Sequence, residues 1–466
     1  MSDFSGSDTA ASLLDSARGE TDTFYVNAEG DLEIDGVRAD SLADRYGAPL
    51  YVMSETAIRA NFRRFKAAFS RFWPVPVDIL YAVKANPNPA ICKILAAEGA
   101  GFDCTGFGEL ILAHGFGGNA EKTTLNGSNK TDDEINQAIR ANSVIVLDAA
   151  SDVELTAELA EQCERDVRVL IRLKAFDADL LADFEGDAYT SNDKAAAVLA
   201  GKKWGVGFES AKGVIEKVQA SSRLSLLGYH VHIGRLTRDA NIVSGNVAAF
   251  ARDIVRLCGA TGYWPSLIDI GGGWPADRDP EARTDKLNPV SIEGYANQVC
   301  RALRSGFEAM PHPLPALWLE PGRYIVNNAG VLLTRVGTIK HDQGRCWVNV
   351  DASGEWLVLT TIYGASNMIL PAGEVHRKLT ERVDIVGPNC IPAVFGKDRK
   401  LPLLERGELL AIFDAGAYSE SQASVFNSMP RPATALACEG CADLITRRET
   451  YDDLQARFVM PARYSA

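Results

Sequence analysis

The sequence predicts an α/β protein: a (β/α)8 barrel plus an all-β second domain. Three observations carry this. From Val77 onward, short apolar runs alternate with amphipathic helical stretches. Eight such runs occur before residue 325. Beyond it, helical periodicity fades and strand-like segments separated by turns take over. Continuous β-rich runs between helices mark strands buried on both faces of a parallel sheet. Eight of them over about 250 residues fit a closed barrel better than an open sheet.

The elements follow in order. Residues 1–22 are acidic and rich in Ser, Ala and Gly, with no basic segment leading into an apolar one. They are expected to be a disordered or loosely docked arm rather than a signal peptide. Phe24–Val37 reads as a hairpin with Glu29–Gly30–Asp31 in its turn, so residues 23–50 are assigned to the β-domain. Ile58, Phe62, Phe65, Phe69 and Phe72 alternate steps of four and three, one face of a helix and a core stripe. The eight barrel strands are expected at Val77–Lys84, Ala100–Thr105, Lys122–Gly127, Ser143–Asp148, Val167–Lys174, Leu226–His232, Ser266–Ile270 and Ala316–Glu320. Thr131 and Glu134 have capping-box spacing ahead of Ile135 and Ile139. The barrel is thus bounded at 51–325 and the β-domain at 326–466. Strands of the latter are expected at Val331–Lys340, Arg345–Asp351, Asp384–Gly387, Glu408–Phe413 and Ala433–Cys438.

Composition narrows the function. The chain has 466 residues and a net charge of −13. That charge disfavours nucleic acid or an anionic membrane as a main partner, because both select clustered Lys and Arg. No run of about 18 apolar residues occurs, so no membrane span is expected. The nine cysteines are scattered, which fits reduced thiols in a cytoplasm. Cys438 and Cys441 form a CxxC without a second pair, so a hairpin turn at Glu439–Gly440 is favoured over zinc.

The unusual residues fall at strand ends, where barrels of this kind build active sites. Lys84 closes the first run. A lysine there is costly if buried unless it is paired or chemically used, and a buried amine is poised to form imines. Asp103 closes the second run and Arg172 lies near the end of the fifth. His230 and His232 alternate on the sixth and so point the same way. They suit a metal pair or, equally, a histidine working on a ring face; no metal is assigned. Gly271–Gly273 follow the seventh run and Glu320-Pro-Gly-Arg323 follows the eighth. Glycine backbones there would let N–H groups approach a phosphate.

These motifs resemble one family. Tyr81-Ala-Val-Lys-Ala-Asn86, Gly101-Phe-Asp-Cys-Thr105 with Glu109, His232-Ile-Gly234, Gly271–Gly273, Glu320-Pro-Gly-Arg323, Gly387-Pro-Asn-Cys390 and Asp414-Ala-Gly-Ala-Tyr418 running to Phe426-Asn427 appear in family order. The chain is identified as similar to the fold-type III, alanine-racemase-like decarboxylases, which include diaminopimelate and ornithine decarboxylases. The stretch through Arg447-Arg-Glu-Thr-Tyr451 looks closest to bacterial D-ornithine/D-lysine decarboxylase-like members.

The resemblance implies pyridoxal 5'-phosphate as cofactor, an amino acid as substrate and a cytoplasmic homodimer with active sites at its interface. Lys84 would carry the cofactor as an aldimine, with decarboxylation passing through a quinonoid. His232 would stack on the ring and Glu320 would pair with the ring nitrogen. Gly272, Gly273, Gly322, Arg323 and Tyr418 would hold the phosphate, and Asp103 and Arg172 would support the lysine and ring hydroxyl. Cys390 of the partner subunit would act near Cα. Arg235, Arg323, Leu359, Tyr363, Cys390, Ile391, Tyr418 and Phe426 would face the substrate.

The departures concern the substrate's far end. Ile391 stands where relatives keep a carboxylate for a distal amine, and Leu359 where they often carry an arginine for a distal carboxylate. Arg235 replaces a serine that contacts phosphate. An apolar Ile391 cannot neutralise an ammonium group, so meso-diaminopimelate is expected to be a poor substrate. Arg235 would meet either phosphate or a distal acidic group; the second suits a carboxylated siderophore or antibiotic intermediate. Two further readings are a racemase on the same barrel and a non-catalytic homologue acting as a regulator. A racemase needs two bases flanking Cα, whereas the Cys390 motif favours decarboxylation. A regulator is opposed by the presence of Lys84, His232, Glu320 and Cys390 together.

Overall fold

The structure is a computed structural model describing residues 9–175, 203–233, 239–278, 287–362, 364–390 and 394–464. The chain divides into two compact units, one of residues 59–275 and 288–325, the other of residues 1–58, 276–287 and 326–466.

The first unit is the expected barrel. Its eight strands are Val77–Ala82, Gly101–Cys104, Thr123–Leu125, Val144–Leu147, Val167–Arg172, Leu224–His230, Leu267–Asp269 and Ala316–Leu319. All neighbours pair in parallel, and Leu317 opposite Val77 closes the ring. The strands are apolar because each is covered on both sides: Leu80, Val144, Val146 and Leu170 are fully buried in one cluster. The phenylalanine stripe lies on the helix Glu55–Phe72, where Phe62, Phe65 and Phe69 are buried and Phe72 is partly exposed. Phe65 and Phe69 meet Trp274 edge-on, with ring centres 5.7 and 5.0 Å away. Thr131 and Glu134 form the expected reciprocal cap on the helix Asp132–Ala141.

The other unit centres on a nine-stranded sheet. Its strand order runs Val394–Leu401, Glu381–Val386, Arg345–Val350, Gly330–Asp342, Leu50–Ser54, Ala433–Cys438, Cys441–Thr446; Leu409–Ile412 also pairs with Gly330–Asp342, and Ile369–Pro371 pairs with Leu409–Ile412. Alternate residues feed two cores on opposite faces: Leu50, Val52, Val331 and Leu333 enter one, Tyr51, Leu332, Leu410 and Ile412 the other. The CxxC turn is as expected: Cys438 faces Cys441 across a hairpin whose Glu439 and Gly440 have φ of 47° and 86°.

Two expectations need correcting. Leu50–Ser54 pairs antiparallel with Gly330–Leu333 and parallel with Ala433–Ala437, so it is a central strand of the β unit. The boundary at 51 therefore cuts through it. The stretch 9–22 is not a loose arm. It forms the helix Ala10–Ser16, capped by Thr9, with Ala10, Ala11 and Leu14 buried. Arg278 fixes its far end, donating to Asp22 and to the Ala17 carbonyl. Two alanines, Leu14 and the buried Asp22 do the packing, in a stretch whose composition alone reads as disorder. The N-terminal strands Phe24–Val26, Leu32–Ile34 and Val37–Arg38 form a separate three-stranded sheet in this unit.

Candidate active site

The polar residues of the barrel gather at the C-terminal strand ends. Lys84 sits two residues beyond the first strand, in a 3-10 turn spanning Val83–Ala85. Its side chain is 40 % exposed, and Nζ donates to Asp103 Oδ2 at 2.9 Å. The burial expected of Lys84 is therefore absent; an ion pair with a buried carboxylate holds the amine at the barrel mouth. Asp103 Oδ1 also accepts from Thr124 Oγ1 at 3.4 Å.

The next layer links the ends of five strands. Arg172, the last residue of the fifth strand, donates to Asn126 Oδ1 at 3.3 Å and lies 4.0 Å from Asp148. Burial draws its pKa down, against the pull of Asp148 and Glu320. His230 ends the sixth strand, fully buried, with Nε2 at 3.3 Å from both Asn126 Nδ2 and Glu320 Oε2. Burial first, then the Arg172 cation, holds His230 well below the usual histidine range, so it is neutral at pH 7. His232 lies just past the strand and is neutral for the same reasons, with Lys84 adding to the effect.

Asp269 ends the seventh strand and faces Glu320. One ligand atom each from Asp269, Glu320 and His230 lie within 4.8 Å of one another. Two buried carboxyls this close cannot both ionise. Burial, then the Glu320 carboxylate, pushes Asp269 well above its ordinary value. Burial also raises Glu320, but Lys84 and Arg172 draw it back. The Lys84 and Arg172 cations therefore favour charge on Glu320. Glu320 Oε1 is buried with no hydrogen-bond partner. Of the two histidines, His230 joins the two acids.

The glycines pack backbone on backbone. A Cβ at Gly272 would stand 2.6 Å from the Glu320 carbonyl and 3.5 Å from His232 Nε2. One at Gly322 would stand 2.9 Å from Ala85 Cβ, and Gly271 and Gly273 have φ of 70° and 98°. Trp274 Nε1 steadies this loop by donating to the Gly271 carbonyl at 2.9 Å. Arg323 is buried where the short helix Arg323–Val326 begins. The structure thus brings Lys84, Asp103, Arg172, His232, Gly272, Gly273, Glu320, Gly322 and Arg323 into the same unit.

Cys390, Tyr418, Leu359 and Phe426 belong to the β unit. Cys390 is exposed and its thiol donates to Asn427 Oδ1 at 3.4 Å. Tyr418 is partly buried with φ of 56°, in the left-handed region. Leu359 lies on the short helix Val358–Thr361, and Phe426 is 43 % exposed. Arg235, Tyr363 and Ile391 lie outside the described residues. The sequence reasoning missed Asn126 and Asp269. Each is a polar residue at the end of an apolar strand, the same signal that picked out Asp103.

The chain matches the model of the pyridoxal-dependent decarboxylase, pyridoxal binding domain, over residues 55–327. It is 34% identical to a diaminopimelate decarboxylase of Methanothermobacter thermautotrophicus, across 94% of this chain and 98% of that one. It is 33% identical to that of Deinococcus radiodurans, across 89% and 96%. It belongs to the fold-type III pyridoxal-phosphate-dependent decarboxylases. Among solved structures, a diaminopimelate decarboxylase from M. jannaschii in complex with L-lysine superposes with a TM-score of 0.85 at 29% identity, covering 95% of this chain and 99% of that one. The cofactor is accordingly pyridoxal phosphate and the enzyme a carboxy-lyase acting on an amino acid. The site's chemistry fits this cofactor. An accessible amine stands ready for its carbonyl, and an unmatched buried carboxyl oxygen stands ready for a ring N–H. No helix among the described residues is long and apolar enough to cross a membrane.

Proposed function

We propose that Lys84 is the lysine that bonds the cofactor and that the enzyme decarboxylates an α-amino acid at an interface between two subunits. The observation that carries this reading is the pairing of an accessible amine, Lys84 on Asp103, with Glu320, whose buried Oε1 is without a hydrogen-bond partner. When bound, the cofactor supplies an electron sink for the pair released as the Cα–carboxylate bond breaks. Glu320 strengthens that sink by accepting the ring N–H. The Lys84 and Arg172 cations favour charge on Glu320. His232, neutral, offers a ring surface for stacking. Gly272, Gly273, Gly322, Arg323 and Tyr418 hold the phosphate, while Asp103 and Arg172 support the lysine and the ring hydroxyl. Cys390, supplied by the second subunit of a homodimer, delivers a proton to Cα. A thiol has a proton to give and can serve as such a donor.

The expectation that meso-diaminopimelate is a poor substrate finds no support. The relatives are named diaminopimelate decarboxylases, and Ile391, on which it leaned, lies outside the described residues. Arg235 lies outside them too, so an acidic far end gains nothing from the geometry. The test is a carbon dioxide release screen over D- and L-lysine, ornithine, arginine, diaminopimelate, glutamate and citryl-conjugated amino acids. Carbon dioxide from a diamino acid, including meso-diaminopimelate, is expected. Enantiomer scrambling without carbon dioxide would make the enzyme a racemase.

Glu320→Gln should slow decarboxylation roughly 10²- to 10³-fold, the scale for losing one charge-stabilising contact. Cofactor content should be retained. An unchanged kcat would mean that the ring nitrogen has another partner.

A further inference from the structure

The Cys438-Glu-Gly-Cys441 motif has no part in the reading above. It lies in the β unit, where Ala433–Cys438 and Cys441–Thr446 pair antiparallel across a two-residue turn. Both turn residues have positive φ, the conformation whose twist matches that of the flanking strands. Cys438 and Cys441 are directly opposed in the register. Opposed residues put their side chains on the same face of a sheet. Their Cα atoms stand about 4.5–5.5 Å apart in an antiparallel pair, and a disulfide spans Cα separations of about 4.4–6.8 Å. The hairpin thus holds the two cysteines within bridging range before any bond forms.

The turn is seated as well as tight. The Glu439 N–H donates to Asp35 Oδ1 at 3.1 Å and the Gly440 N–H to the Asp35 carbonyl at 2.8 Å. Asp35 in turn accepts from Ser54 Oγ at 2.7 Å and from Thr56 Oγ1 at 3.0 Å. A tip held at both N–H groups keeps the opposed pair in register. The two thiols are free and differ in access: Cys441 is exposed and Cys438 is half-buried. Burial, then the Glu55 and Asp35 carboxylates, push the Cys438 thiol above its ordinary range.

We propose that Cys438 and Cys441 form a reversible thiol–disulfide site that low-molecular-weight disulfides oxidise. Cys441, the exposed member, attacks one sulfur of the small disulfide as its thiolate. A mixed disulfide forms, and one small thiol leaves with the proton that Cys441 gave up. Cys438 then loses its proton and attacks the Cys441 sulfur. The internal S–S bond forms and the second small thiol leaves. Two protein thiols are oxidised and one small disulfide is reduced to two thiols. A bridge across an exposed hairpin is of the labile kind that a thiol reductant reopens. The proposal stands apart from the cofactor and from the substrate.

The test exposes the holoenzyme to oxidised glutathione and maps its tryptic peptides by mass spectrometry. In wild type, the peptide carrying Cys438 and Cys441 should lose two hydrogens and keep little glutathione, and dithiothreitol should restore both thiols. In Cys438→Ser the reaction should stop at the mixed disulfide, so the glutathione adduct on Cys441 should rise about tenfold or more over wild type, because the neighbouring thiol that expels it is gone. An equal adduct in wild type and Cys438→Ser, or no internal disulfide in wild type, would overturn the proposal. A bridge from either cysteine to any other cysteine instead would also overturn it. Should Cys438→Ser fail to fold, a time course on wild type decides: the adduct should appear on Cys441 ahead of the disulfide, and an adduct on Cys438 first would overturn the assigned order.

Discussion

Lys84→Ala should lower decarboxylase activity by at least about three orders of magnitude, roughly 4 kcal/mol of transition-state stabilisation. It should also abolish the absorbance band of the lysine-bound cofactor. No other amine in the described barrel mouth has the same two properties, exposure of 40 % and a 2.9 Å hydrogen bond to a buried carboxylate. The stability cost should be small, about 1 kcal/mol, because a pair with one partner this exposed is screened by solvent. Lys84→Arg separates the two effects. It keeps a cation for Asp103 and should restore the stability, but it cannot bond the carbonyl and should stay inactive. Turnover by either variant near the wild-type rate would remove Lys84 from the chemistry.

Arg278→Ala should be the most destabilising of these substitutions, at about 3–5 kcal/mol in urea unfolding. Arg278 is buried in the β unit and donates to both Asp414 oxygens at 3.1 Å, to the Ala17 carbonyl at 2.7 Å and to Asp22. Asp22 is itself tied to Asn328 Nδ2 at 2.8 Å and to the Gly19 N–H at 2.8 Å. Burial alone would lower the Arg278 pKa, but Asp414 and Asp22 more than offset it and the net shift is upward. Removing the guanidinium leaves two carboxylates buried without their cation. Asp22→Asn should therefore be less damaging in the Arg278→Ala background than in wild type, giving a coupling of about 1–3 kcal/mol. Additive effects would mean that Arg278 acts through packing alone.

The barrel was legible because its strands are buried on both faces, which forces continuous apolar runs such as Val144–Leu147. The same property hid Leu50–Ser54. All five of its residues are buried, so it lacks alternation and runs without a turn into the helix that starts at Glu55. The helix Ala10–Ser16 was illegible for another reason. Its burial uses alanines, and the partner that fixes it, Arg278, is distant in sequence. At the site, residues on the strand-end motifs were readable one by one. Their electrostatics were not: the Asp269–Glu320 pair exists only once the seventh and eighth strands lie side by side.

Everything assigned to the barrel mouth depends on which lysine bonds the cofactor. Borohydride reduction of the holoenzyme, followed by peptide mapping by mass spectrometry, answers this directly. A pyridoxyl group on the peptide carrying Lys84, in near-stoichiometric yield, is the predicted result. A pyridoxyl group on a different lysine, or none on a holoenzyme that turns over, would contradict it.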